Sequence, residues 1–232
     1  MLKKYIVASI LLFLAAFCYG QTNFSKGEDL LMQNSPSQAV VFLERALAED
    51  PANTIIYLYL GIVYEQLNRA DEAIALYRRA LPIAGSMSAN VATNLGNVYF
   101  MKGNHELAEQ FYTQAINHNS VYSSAFLGRG NTRVRSGQLT NAVVDYERYL
   151  ILEPGSSQRD SIQQMIVLIR AETAAEEMKR VIAEEEKRRL EEERQRLLDS
   201  VSASLQSLGD SSKGISSGAE SVENYEGEFE LD

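Results

Sequence analysis

Four glycines, Gly27, Gly61, Gly96 and Gly130, stand 34, 35 and 34 residues apart, and the alanines Ala39, Ala73, Ala108 and Ala142 repeat those intervals. A fixed period in the thirties is the mark of a stacked helical array, in which each unit buries its apolar face on the next. The pattern is plainest in residues 60–81, where Gly61, Tyr64, Ala73, Tyr77 and Ala80 fall at offsets 0, 3, 12, 16 and 19. The same offsets give Gly96, Tyr99, Ala108, Tyr112 and Ala115, then Gly130, Arg133, Ala142, Tyr146 and Tyr149, and, upstream, Gly27, Leu30, Ala39, Leu43 and Ala46. Weak helix formers from Asn68 to Asp71 divide each copy into two short helices rather than one long one.

Each recurring residue has a packing reason. Two antiparallel helices approach closely only where small side chains meet, so Gly in the first helix and Ala in the second let the backbones touch. Tyr or Leu fills the wider gaps. Between the helices stand Asn34, Asn68, Gly103 and Gly137, the residue types that tolerate a left-handed backbone. Pro51 and Pro154 end second helices, with Gly85 and Ser120 at the same place in the middle copies.

With these residues the chain resembles the tetratricopeptide repeat family. Residues 54–88 carry its motif at Tyr57, Leu60, Gly61, Tyr64, Ala73, Tyr77 and Ala80, and residues 89–122 at Leu95, Gly96, Tyr99, Ala108, Tyr112 and Ala115. In residues 123–156, Phe126, Gly130, Ala142, Tyr146 and Pro154 hold, while Arg129 and Arg133 replace Leu and Tyr and Tyr149 replaces Ala. The first helix of that copy is therefore expected to be partly exposed or docked on the segment C-terminal to the repeat. Residues 21–53 read as a degenerate leading repeat. The resemblance implies an all-α, right-handed superhelical array whose first helices line a concave groove that binds a partner protein or peptide. The groove positions it implies are Ile55, Leu58, Ile62, Glu65 and Gln66, then Asn90, Thr93, Asn97, Phe100 and Met101, then Ser124, Leu127, Asn131, Val134 and Arg135. Of these, Asn90, Thr93, Asn97, Phe100, Met101, Leu127, Asn131 and Arg135 are the expected peptide-binding residues. An amide both donates to and accepts from a peptide main chain, and Phe100 and Met101 add an adaptable apolar surface. No lysine occupies these positions, so recognition of a free C-terminal carboxylate is not expected.

The two ends differ from the array. Lys3 and Lys4, the apolar run from Tyr5 to Phe17 and the Cys18-Tyr19-Gly20 stretch before Gln21 read as an export signal over residues 1–20, placing the protein in the periplasm or at the cell envelope. Cys18 is the only cysteine. It is either removed with the signal or lipidated, although Phe17 stands where a lipoprotein signal wants a small residue. Residues 157–208 read as a helix whose Ile162, Met165, Ile166 and Ile169 cap the last repeat. Its segment 184–196, "EEEKRRLEEERQR", is helical through i, i+4 pairs such as Glu184 with Arg188, Glu185 with Arg189 and Glu192 with Arg196. Leu190, Leu197, Val201, Leu205 and Leu208 leave two readings open, a solvated spacer or a coiled coil. Residues 209–232 carry seven acids against Lys213, and so hold −6 of the net charge of −9. This Gly/Ser-rich acidic segment is expected to be disordered and to disfavour nucleic acid.

Catalytic chemistry finds no footing. His105 and His118, the only histidines, fall in expected turns without metal-ligand spacing and read as solvated. "GRGNTR" from Gly128 lacks phosphate-loop spacing, and no two acids share a face that periodicity would bury. The expectation is a non-enzymatic, cofactor-free interaction scaffold. The alternative is an assembly or chaperone-like lipoprotein acting on outer-membrane or cell-wall machinery.

Overall fold

The computed structural model describes residues 22–219, and side chains through residue 209. Among the described residues it is all helical: α1 (Asn23–Met32), α2 (Pro36–Glu49), α3 (Thr54–Gln66), α4 (Ala70–Ala80), α5 (Ser88–Met101), α6 (His105–His118), α7 (Ser123–Arg135), α8 (Leu139–Leu152) and α9 (Arg159–Ala219). The export signal and Cys18 lie outside the described residues. The first eight helices form four antiparallel pairs. The chain divides into two compact units, one ending at Ala171 and one beginning at Glu172.

Local chemistry sets the helix ends. Thr22 caps α1 by accepting from Ser25 N at 3.1 Å, and Asn104 caps α6 by accepting from Leu107 N at 3.1 Å. Either acceptor satisfies an orphan donor of a first helical turn. Asn34, Asn68, Gly103 and Gly137 all take a left-handed backbone, with φ of 55°, 58°, 75° and 73°. Beside each one the next amide returns to the end of the preceding helix: Ser35 N to Leu30 O, Arg69 N to Tyr64 O, Asn104 N to Tyr99 O and Gln138 N to Arg133 O, at 2.8 to 2.9 Å. Four copies of one turn thus join the four pairs. The one-residue longer interval from Gly61 to Gly96 is absorbed by two 3₁₀ turns, Leu81–Ile83 and Gly85–Met87, with Gly85 at φ 53°.

The helix crossings are tight where glycine and alanine recur. A Cβ on Gly96 would stand 2.8 Å from the Tyr112 ring, and one on Gly130 would stand 2.9 Å from Tyr146. Gly61 meets Tyr77 more closely still, and Gly27 meets Leu43 in the same way. Ala39, Ala73, Ala108 and Ala142 are fully buried. Apolar residues from α1 to α6 form one core, and α7, α8 and the start of α9 form a second. Between them lies a layer of small residues, Ala89, Ala92, Ala115 and Ala125.

In the copy over residues 123–156, the first helix docks on the segment C-terminal to the repeat through Phe126, which is buried with Ile162, Ile166 and Ile169. Both arginines turn toward the buried Asp145 of α8. Arg129 grips it with both ends of its fork, at 2.9 and 2.7 Å, and Arg133 adds a bond at 2.8 Å. Arg133 also reaches Glu109 at 2.8 Å, and Arg129 reaches Thr113 at 3.1 Å. The expectation that no two acids are buried together concerns pairs and does not foresee a single buried acid held by arginines. Asp145 is 1% exposed, and its partners come from the facing helix, out of reach of a periodicity argument along one helix.

At the end of the first unit, Ile162, Ile166 and Ile169 are buried with Phe126, Tyr146, Tyr149 and Leu150. Met165, expected in the same stripe, is 42% exposed. In the second unit the described side chains are almost all exposed, Leu190, Leu197, Val201, Leu205 and Leu208 among them. Ion pairs there join Glu177 with Arg180, Glu191 with Arg194 and Arg188 with Glu192, rather than the three i, i+4 pairs read from the sequence. Helical backbone passes Gly209 and reaches Ala219, beyond the expected end at 208. Extending an existing helix adds one hydrogen bond per residue without a new nucleus, which offsets the weak propensity of "GDSSKG". Residues 220–232 lie outside the described residues.

Candidate functional site

A cleft of about 440 Å³ opens between the first helices of successive pairs, lined by Glu65 of α3, by Thr93, Asn97, Phe100 and Met101 of α5, and by Ser124, Leu127, Gly128 and Asn131 of α7. Tyr112 of α6 forms its floor. It brings together six of the eight residues expected from the sequence. The other two lie outside it. Asn90 donates to the Tyr122 hydroxyl at 3.1 Å, and Arg135 is exposed at the last turn of α7.

The polar groups of the cleft are held by tyrosines beneath them. The Tyr112 hydroxyl donates to Asn97 Oδ1 at 2.7 Å, and the Tyr146 hydroxyl donates to Asn131 Oδ1 at 2.8 Å. One neighbour therefore fixes each amide by its oxygen and leaves the NH₂ without a hydrogen bond among the described residues. In the preceding pair the Tyr77 hydroxyl donates to Glu65 Oε1 at 2.6 Å instead. Burial raises the Glu65 carboxyl above its ordinary value, partly opposed by this bond. Burial and the nearby Glu65 charge raise the Tyr112 phenol. Thr93 is 4% exposed, and its Oγ1 has no partner among the described residues. A helical threonine ordinarily turns its hydroxyl back on the carbonyl one turn earlier.

Tyr112 and Gly128 are cleft residues that sequence reasoning did not select. Tyr112 lies against Gly96 of its own pair and Gly128 of the next. The glycine that seemed part of a spurious phosphate loop is there to admit the ring. The signal was available, since Gly128 is an additional glycine off the 34-residue register.

His105 corrects a second expectation. It opens α6, is half-buried with Nδ1 unpartnered, and packs against the Phe100 ring at 5.6 Å. His118 is exposed at the end of α6. Among the described residues, no group of His, Cys, Asp and Glu is arranged to hold a metal ion, and no helix is long and apolar enough to cross a membrane.

Residues 54–120 match the family model of the tetratricopeptide repeat. The array has the tetratricopeptide-repeat fold. Its similarity to the structure of pilF from Pseudomonas aeruginosa, with a TM-score of 0.58 at 22% identity over 66% of this chain and 68% of that one, concerns the fold alone. Human RNA polymerase II-associated protein 3 is 38% identical over 126 residues, 54% of this chain and 18% of that protein. The probable UDP-N-acetylglucosamine–peptide N-acetylglucosaminyltransferase SPINDLY of Hordeum vulgare is 33% identical over 135 residues, 56% of this chain and 14% of that protein. The chain spans only 14% to 24% of the length of the curated relatives it matches.

Proposed function

We propose that the protein is a non-catalytic interaction scaffold that captures an extended segment of a partner protein in the tetratricopeptide cleft. The observation that carries this reading is the pair Asn97 and Asn131. They stand at the same register of successive repeats and line the cleft, each anchored through its oxygen by a tyrosine and each with NH₂ donors that make no hydrogen bond among the described residues. An extended chain offers carbonyl acceptors at regular intervals whatever its side chains, so such donors suit sequence-tolerant capture. Phe100, Met101 and Leu127 supply apolar surface beside them.

The experiment is a pull-down with Asn97→Asp and Asn131→Asp together. Aspartate keeps the acceptor that Tyr112 and Tyr146 need, removes the donors and adds a negative charge, so loss of partners with helicity retained, at high as well as low salt, supports the cleft. Equal recovery of every partner by wild type and variant would overturn it. Export belongs to the same proposal and rests on the charged start and short apolar run of residues 1–20. Mass spectrometry of the mature N-terminus separates the two forms of it. A chain beginning at Gln21 supports a released scaffold, and a diacylated Cys18 supports a lipoprotein of envelope assembly.

A further inference from the structure

Among the charged side chains described, Glu65 alone lines the cleft. Its Oε1 accepts from Tyr77, and among the described residues no hydrogen bond engages its other oxygen and no cation pairs with it. Arginines of the neighbouring helices are engaged elsewhere, Arg69 with Glu72 among them. Arg129 and Arg133 bind Asp145 and Glu109, Arg78 donates to the Tyr99 hydroxyl at 2.8 Å, and Arg135 lies off the cleft. A half-buried carboxylate without a cation is unfavourable on its own, and it favours any ligand that brings one. In the leading pair, Glu28 stands at the register of Asn97 and Asn131 and accepts from the Tyr59 hydroxyl at 2.8 Å, so an acid again occupies the groove side of a first helix.

Thr93 is the second, independent observation. Its Oγ1 is the one buried cleft hydroxyl without a partner among the described residues, although the Ala89 carbonyl one turn earlier is available to it in sequence. An orphaned buried hydroxyl is costly to leave unmade, and it is satisfied when a polar group enters the cleft beside it.

We infer that the cleft selects an extended peptide carrying a basic side chain, whose ammonium or guanidinium is taken by Glu65 and whose main chain supplies the missing partner of the Thr93 hydroxyl. This rests on the peptide-capture reading above and adds the chemistry of the ligand. Charge complementarity decides it, because an acidic peptide would set its carboxylates against Glu65 with no cation in the lining to answer them.

The full chain is tested on an array of end-blocked peptides of about nine residues, alternating alanine and serine, with one central lysine, glutamate or norleucine. Lysine peptides are expected to bind about tenfold more strongly than glutamate peptides at low ionic strength, with the margin shrinking as salt is added. Glu65→Gln, which still accepts from Tyr77, is expected to level the lysine and glutamate signals. Thr93→Val, nearly isosteric, is expected to weaken every peptide while leaving the melting temperature unchanged or raised. Equal binding of lysine and glutamate peptides by the wild type, or a lysine preference that survives Glu65→Gln, overturns this inference and leaves peptide capture standing. Absence of binding to any peptide, or binding of the neutral norleucine peptides indifferent to Asn97→Asp with Asn131→Asp, overturns the capture reading and this inference with it.

Discussion

Tyr112 shows how one side chain serves both packing and the cleft. Its ring fills the space left by Gly96 and Gly128, and its hydroxyl orients Asn97. Alanine in a helix is ordinarily favoured over glycine by about 0.5 to 1 kcal/mol. At Gly96 the sign reverses, because the added methyl meets a buried ring 2.8 Å away with nowhere to move. Gly96→Ala is expected to destabilise by about 1 to 3 kcal/mol through overpacking, measured by denaturant unfolding. A neutral result would mean that the ring has room to shift. The tyrosines also set a pH limit. Burial raises the Tyr77 and Tyr112 phenols well above the ordinary range, and burial with the Glu44 bond pushes Tyr64 up to about 12. Above pH of about 10 the unfolded chain releases phenolic protons that the folded chain retains, so fewer protons are bound in the unfolded state and stability falls as pH rises. The contribution is fully present below about pH 10 and is lost through pH 12 and beyond. The part of the phenolate absorbance that comes from the buried tyrosines is expected to rise together with the loss of far-ultraviolet ellipticity in an alkaline titration, whereas complete tyrosine ionisation before unfolding would contradict the burial.

At the scale of the element, the fourth pair, α7 with α8, has exchanged an apolar crossing for an ionic one. Arg129 and Arg133 are neutralised by Asp145 and Glu109, each within hydrogen-bonding distance. Removing the shared acid alone strands Arg129 and leaves Arg133 with Glu109 only. Asp145→Ala is therefore expected to cost about 3 to 5 kcal/mol. Replacing Arg129 by Leu and Arg133 by Tyr, the residues of the neighbouring repeats, together with Asp145→Ala, is expected to cost less than the single change. A chemical-denaturation cycle over the variants checks this non-additivity, and purely additive losses would refute the coupling. The same element shows what the sequence could disclose. The left-handed turns at Asn34, Asn68, Gly103 and Gly137 were legible because each is dictated by one residue, and the Gly and Ala contacts because they recur. Asp145 was not, since nothing in its own helix distinguishes a buried acid from an exposed one. In the cleft, Thr93, Asn97 and Asn131 were legible through the resemblance to the repeat family, which implies the groove positions. The tyrosine bonds that orient the two amides were not, because they join residues fifteen apart across a turn.

At the scale of the whole molecule, the question is where the folded array ends. The first compact unit closes at Ala171, and the last apolar side chains it buries are Ile162, Ile166 and Ile169, at 7%, 6% and 4% exposed. They cover Phe126, Tyr149 and Leu150, which would otherwise form the open end of a stack. Arg159 adds bonds from its guanidinium to the Leu150 and Pro154 carbonyls, at 3.3 and 3.2 Å. Beyond Ala171 almost every described side chain is exposed, so that part of the chain contributes ion pairs of the surface kind, each worth little. Two truncations separate these contributions. A chain ending at Ala171 is expected to melt within about 2 °C of the full chain, since it loses no core. One ending at Ser157 loses three isoleucines, each worth about 1.5 to 3 kcal/mol of buried apolar surface, and is expected to melt about 10 °C lower or more. Thermal scans of both, followed by far-ultraviolet ellipticity, read the difference directly. If the Ala171 truncation falls as far as the shorter one, the charged helix is stabilising the array through contacts of its own, and the cap assigned to Ile162, Ile166 and Ile169 must be abandoned.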